Sequence, residues 1–260
     1  ETAAPMPLLA LSFAAQDAAL GDLLRELTGG TDGEGRLGHL DLRLGGRGET
    51  LGALVRDLEL SLAVANIRFS SGSAADARPM AITLDTLDLA LRRGQQLRGS
   101  ARGTLLGEPV KLSLRGGTLP EMLRKLATPI EIEIAAAQAR LRIEGALAPP
   151  EATRETALSF AFQARRTGDL ARWLGGAPES KLPLALRGRV RIASDAWTLE
   201  QTKVKLGRSE LTLDARRSRV GDRPTIVASV RSPLIDVPEL ATLRASTGRS
   251  NDVPLFPDAL

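Results

Sequence analysis

The chain has 260 residues, 43% hydrophobic and 25% charged, a balance that suits a folded domain with a core. A net charge of +4 spread among interleaved acids, with 3% aromatic residues and no Tyr, argues against a basic stripe for nucleic acid and against a stacking platform for bases or sugars. No Cys is present, so there is no disulfide and no thiolate metal site, a usage that suits an oxidising envelope compartment.

Taken in chain order, the first uncharged run, residues 2–16 (TAAPMPLLALSFAAQ), is too short and too interrupted by proline to span a bilayer as a helix. It lacks the basic flank of a secretion signal, and it reads as a strand near the start of an excised fragment. GDLLREL (21–27) spaces its leucines as a short helix does. GHLDLRLGGRG (38–48) then alternates apolar and polar residues, the pattern of a half-buried strand. ETLGALVRDL (49–58) returns to helical spacing, and LDTLDLALRR (84–93) and VKLSLRGG (110–117) return to alternation. TLPEMLRKL (118–126) is a third helical piece, and IEIEIAAAQARLRIEG (130–145) alternates aliphatic and charged residues almost without a break. GDLARWL (168–174) is the fourth helical piece. RGRVRIAS (187–194), TKVKLGRSELTLDARR (202–217) and PTIVASVRS (224–232) complete the alternating runs. Gly, Pro, Asp and Ser bound these runs, so close-spaced strands with short turns predict an antiparallel meander. Each helical piece follows a strand and precedes another, a loose repeat of irregular length. Such short helices cannot stand alone and need an edge or lip of the sheet to pack on.

Catalytic chemistry finds no support in the residues. The single histidine, His39, lies at a Gly-rich strand entry, where a solvent-facing role is the ordinary one. There is no GxSxG, SxxK or HExxH, and no phosphate-binding loop ending in Lys-Ser or Lys-Thr. GGTDGEG (29–35) has too few oxygen ligands for a calcium loop and reads as a flexible loop. Glu131 and Glu133 alternate with isoleucine and read as a solvated sheet face, not an acid–base pair. The expectation is no enzyme, no catalytic residue, no metal and no cofactor.

The most distinctive stretch is residues 186–240, LRGRVRIASDAWTLEQTKVKLGRSELTLDARRSRVGDRPTIVASVRSPLIDVPEL. Its GxVxI strand at Gly188, Val190 and Ile192, the run LGRSELTLD, the Arg223-Pro224 turn and the closing SPLIDVPEL resemble the AsmA family of Gram-negative envelope proteins. TLPEMLRKLATPIEIEIAAAQARLRIEG resembles the family's helix-then-hairpin repeats, while Thr212 stands where relatives often have glycine. NDVPLFPDAL (251–260) is similar to the family's linker, so residues 241–260 are expected to lead toward a further C-terminal block, with the whole of 1–260 one β-groove fragment of a longer protein.

The resemblance implies a mainly β fold, a curved antiparallel sheet forming an open hydrophobic groove with short helices at its edges or mouth. It also implies a periplasmic protein, held by an inner-membrane anchor outside this chain, that shields phospholipid acyl chains on their way from inner to outer membrane and so serves outer-membrane homeostasis. The expected groove lining is Leu40, Leu42, Leu44, Ile130, Ile132, Ile134, Leu141, Ile143, Val190, Ile192, Val204, Leu206, Leu211 and Leu213. Two alternatives stay open. The same alternation fits a closed sandwich with a dry core. The protein could equally be a scaffold or regulator that contacts outer-membrane assembly proteins and carries no lipid.

Overall fold

Among the described residues, thirteen strands follow one another in sequence and in space. The computed structural model describes residues 8–19, 33–71, 80–105, 107–124, 127–136, 138–149, 155–168, 181–193, 196–220 and 223–239. The strands are β1 (Leu8–Ala19), β2 (Gly33–Arg47), β3 (Glu59–Ser71), β4 (Met80–Leu91), β5 (Gln96–Leu105), β6 (Glu108–Thr118), β7 (Thr128–Ala136), β8 (Ala139–Leu147), β9 (Thr156–Ala164), β10 (Leu184–Ile192), β11 (Trp197–Leu206), β12 (Ser209–Val220) and β13 (Arg223–Leu234). They form one 13-stranded sheet in the order β1 to β13, each antiparallel to its neighbours. β1 and β13 do not pair, so the sheet is open, and no second sheet exists among the described residues. A closed sandwich is therefore not the architecture of these strands.

Turn chemistry explains the meander. In the β11–β12 hairpin, Leu206 pairs with Ser209 across the two-residue turn Gly207–Arg208, and Gly207 takes φ +55°, which only a residue without Cβ adopts at no cost. The chain after β13 folds back onto this turn. The Asp236 N–H donates to Ser209 Oγ at 2.9 Å, and the Arg208 N–H donates to Glu239 Oε2 at 2.7 Å. Residues 232–239, SPLIDVPE, thus close one end of the β11–β12 hairpin.

Two of the four expected helices are described, both shorter than their sequence spacing. α1 (Leu51–Arg56) follows β2, and α2 (Leu119–Leu123) follows β6. Thr50 Oγ1 accepts the Ala53 N–H at 3.2 Å, and the Glu121 carboxylate accepts the Thr118 N–H at 2.7 Å, so each helix start has a side-chain partner. The pieces at 21–27 and, beyond Gly168, at 168–174 lie outside the described residues. No helix among the described residues is long and apolar enough to cross a membrane.

Alternation breaks at matched places in four successive strands. The register steps from Gln16↔His39 to Ala18↔Leu37, from His39↔Ala65 to Leu37↔Ile67, and from Ala65↔Thr86 to Ile67↔Leu84. The residues passed over are Asp17 (φ 50°), Gly38, Asn66 (φ 57°) and Asp85. An irregularity of this kind reverses which sequence positions face which side. Because it recurs at the same level in β1 to β4, apolar residues stay on one side throughout. A Cβ on Gly38 would lie 2.7 Å from Asn66 Cβ, so glycine is what lets these two irregular positions sit side by side.

Candidate functional site

Paired residues in an antiparallel sheet share a face. Following the pairs across the sheet gives Ala15, Leu40, Val64, Leu87, Ala101, Leu112, Ile134, Leu141, Phe162, Leu186, Val204 and Leu211, one residue from each of β1 to β12. Not one is polar. The next level reads Phe13, Leu42, Leu62, Leu89, Gly99, Leu114, Ile132, Ile143, Phe160 and Gly188. One side of the sheet is therefore a continuous apolar surface across the strands.

All fourteen residues expected from the sequence lie on this surface. Leu40, Leu42 and Leu44 pair with Val64, Leu62 and Leu60. Ile132 and Ile134 pair with Ile143 and Leu141, and Ile130 pairs with Gly145. Val190 and Ile192 reach the same face through Leu158 and Thr156, while Leu206, Leu211 and Leu213 pair with Ser209, Val204 and Thr202. Thirteen are half-buried and Ile192 is 43% exposed. Neighbours within the sheet cover the flanks of these side chains, and no further layer of described strands lies over them.

The sequence reading missed much of the same surface. β3 supplies Leu60, Leu62 and Val64, and β9 supplies Leu158, Phe160 and Phe162. On β9 the opposite-face positions are Ala157, Ser159 and Ala161, so small residues blur the contrast between the two sides. On β5 the apolar side is Gly99, Ala101 and Gly103, a thin stripe with no large side chain to announce it.

The two helices pack on the apolar side at one end of the strands. Leu54 and Leu58 place a Cδ1 within 3.6 and 3.5 Å of where a Cβ on Gly46 would stand, and Met122 Cε is 3.6 Å from that of Gly116. The helices also touch each other, spanning from the end of β2 to the end of β6. Each packs against its own preceding strand, β2 or β6, at that end of the apolar side.

The other side is charged. Arg142 on β8 bonds Glu131 at 2.8 Å and Glu144 at 3.2 Å, with Glu133 at 3.8 Å. Arg191 pairs with Glu200 at 3.1 Å, and Lys205 with Glu210 at 3.1 Å. Ionic groups keep this side in water, which leaves the apolar side as the surface with an unmet burial drive. Among the described residues, the row from Ala15 to Leu211 carries no nucleophilic or titratable side chain. Thr202, 3% exposed, has the one buried side-chain polar atom without a partner among the described residues. Such a surface binds by area and shape, at roughly 25 cal/mol per Å² of apolar area covered, and not through directed polar contacts. No family model, curated protein or solved structure matches the chain.

Proposed function

We propose that the apolar side of the sheet is an open groove that shields phospholipid acyl chains, and that the intact protein works in the periplasm, anchored at the inner membrane, as an AsmA-like conduit serving the outer membrane. The observation that carries this reading is the unbroken apolar row from Ala15 to Leu211, with no second layer of described strands upon it.

The energetic case is direct. Exposing a two-tailed lipid of about 30 methylenes to water costs roughly 25 kcal/mol at ~0.8 kcal/mol per methylene. A surface of Leu, Val, Ile and Phe replaces water along the path. The row from Ala15 to Leu211 has no polar side chain to hold one lipid in place, so bound chains can slide. The row runs across the strands, so its length grows with strand number, and a meander adds strands without changing the surface chemistry. With α1 and α2 at one end of the strands, the opposite end is the side where a headgroup would meet water.

The test is to purify the full-length protein from membranes and identify bound lipid by mass spectrometry, with a photo-crosslinking residue at Ile134 or at Glu133. Lipid adducts at position 134 and not at 133 are the expected result. Absence of co-purifying phospholipid and of adducts at both positions would sink the conduit and leave a scaffold for outer-membrane assembly proteins as the better account.

A further inference from the structure

Arg187 on β10 and Lys203 on β11 are direct cross-strand partners on the charged side of the sheet. Like charges opposite one another destabilise a sheet. Both side chains are exposed, and among the described residues neither has a carboxylate partner. Three of the nearby acids hold other cations, and the fourth, Asp214, is bonded by a backbone N–H. Glu200 lies opposite Arg189 in the register but binds Arg191 at 3.1 Å, so Arg189 is also without an acidic partner among the described residues. Glu210 holds Lys205 at 3.1 Å, Glu144 holds Arg142 at 3.2 Å, and Asp214 accepts the Gln201 N–H at 2.8 Å.

The unpaired cations stand where two open depressions meet. One, of about 1030 Å³, is lined by the cations Arg142, Arg187, Arg189 and Lys203 and by the acids Glu144, Glu200 and Asp214, over a floor that includes Ser159 and Ala161. A second, of about 420 Å³, shares Ala161, Arg187 and Lys203 with it and also takes in Phe162, Leu186, Val204 and Leu211 of the apolar row. The floor is low because Ser159 and Ala161 are small, between strands β8 and β10 that carry arginines. The bulge at Gln201 (φ 45°) puts β11 out of step with both neighbours at this level.

We infer that this depression is an anion site that takes a phosphate ester, held by Arg187, Lys203 and Arg189. A guanidinium offers a planar fork of N–H donors and an ammonium a compact charge, and together they suit the oxygens of phosphate. An anion between Arg187 and Lys203 removes the like-charge opposition that the fold otherwise carries. The three cations lie on the side opposite the apolar row, so their binding of an anion is tested separately from lipid-chain binding. Its chemistry is that of phosphate, on a lipid headgroup or on a soluble ester.

The experiment compares thermal unfolding in inorganic phosphate and in chloride at equal ionic strength, with affinities from titration calorimetry. Phosphate also stabilises folded chains by exclusion from their surface, so the comparison is made between variants. Arg187→Gln and Lys203→Gln are each expected to weaken phosphate binding about tenfold. Arg216→Gln, which removes the same charge from the same side of β12, should leave it unchanged. Arg187→Glu gives Lys203 an opposite charge across the strands. It should abolish the phosphate response while raising the Tm in chloride, which separates loss of the site from loss of the fold. No phosphate response beyond that of Arg187→Glu, or an equal loss in Arg216→Gln, overturns the site. Retention on phosphatidylglycerol vesicles but not on phosphatidylcholine vesicles, lost in Arg187→Glu, makes the headgroup the source. Phosphate binding without vesicle retention makes it a soluble ester.

Discussion

Thr202 fills the space that Gly188 leaves on the neighbouring strand. A Cβ on Gly188 would collide with Thr202 Oγ1 and stand 3.0 Å from both Thr202 Cβ and Phe160 Cζ. The hydroxyl is buried there without a hydrogen-bond partner among the described residues. Thr202→Val keeps the shape and removes a desolvated polar atom, so it should stabilise the chain by about 1 kcal/mol in urea unfolding. Gly188→Ala should destabilise it by about 1–3 kcal/mol through overpacking. A loss of stability in Thr202→Val would mean that the hydroxyl has a partner.

Ile132→Asp and Leu206→Asp test the openness of the apolar side. In a closed core an unpartnered carboxylate costs roughly 4 kcal/mol or more. On an open surface the new carboxylate keeps water, so the cost should stay near 1 kcal/mol. The same charge then stands against apolar chains and should abolish lipid binding and complementation of an envelope defect. Glu131→Ala, on the opposite side, should leave lipid binding intact. Thermal melts, bound-lipid quantification and complementation check the three variants, and unfolding of both Asp variants would overturn the open surface.

Arg142 holds apart acids that the register places together. Glu131 and Glu144 are directly paired across β7 and β8, and Arg142 bonds both. Arg142→Ala leaves that pair repelling with, among the described residues, only Arg115, 3.6 Å from Glu131, to offset it. The side chains are partly exposed, so the expected loss is about 1 kcal/mol at low salt, shrinking at high salt as the repulsion is screened. Urea titrations at the two ionic strengths measure it. A salt-independent loss would point to packing instead of charge.

The two outermost strands carry exposed apolar side chains. Leu11 and Phe13 on β1 are 58% and 59% exposed, and Val227 and Val230 on β13 are 65% and 61% exposed. Their outer edges pair with no described strand. Unpaired apolar edges recruit further chains. Self-association is therefore expected in sedimentation velocity, reduced by Leu11→Lys or by Val230→Lys. Monomeric behaviour at high concentration, with protected amides in both strands, would refute it.

Strand type and face were legible in the sequence wherever large aliphatic residues alternate with charge. Ile130 to Ile134 and Val204 to Leu213 are read correctly because a period of two is a property of the extended backbone alone. Strands such as β5 are not legible that way, since Gly99, Ala101 and Gly103 have too little side chain to reveal a side. The helix signals at 49–58 and 118–126 overstate their lengths, because leucine spacing records propensity while the need to join adjacent strands limits each helix to little more than a turn. Local alternation determined that each strand has an apolar side. Only the tertiary structure decided that these sides align into one surface. The alignment depends on non-local pairing, above all on the irregularities at Asp17, Gly38, Asn66 and Asp85 falling at the same level, so that the reversal in each strand is matched by its neighbour. A break in alternation read in one strand looks like a fault. Paired with its neighbours', it keeps the apolar side continuous, because facing is set by register between strands and not by position along any one of them.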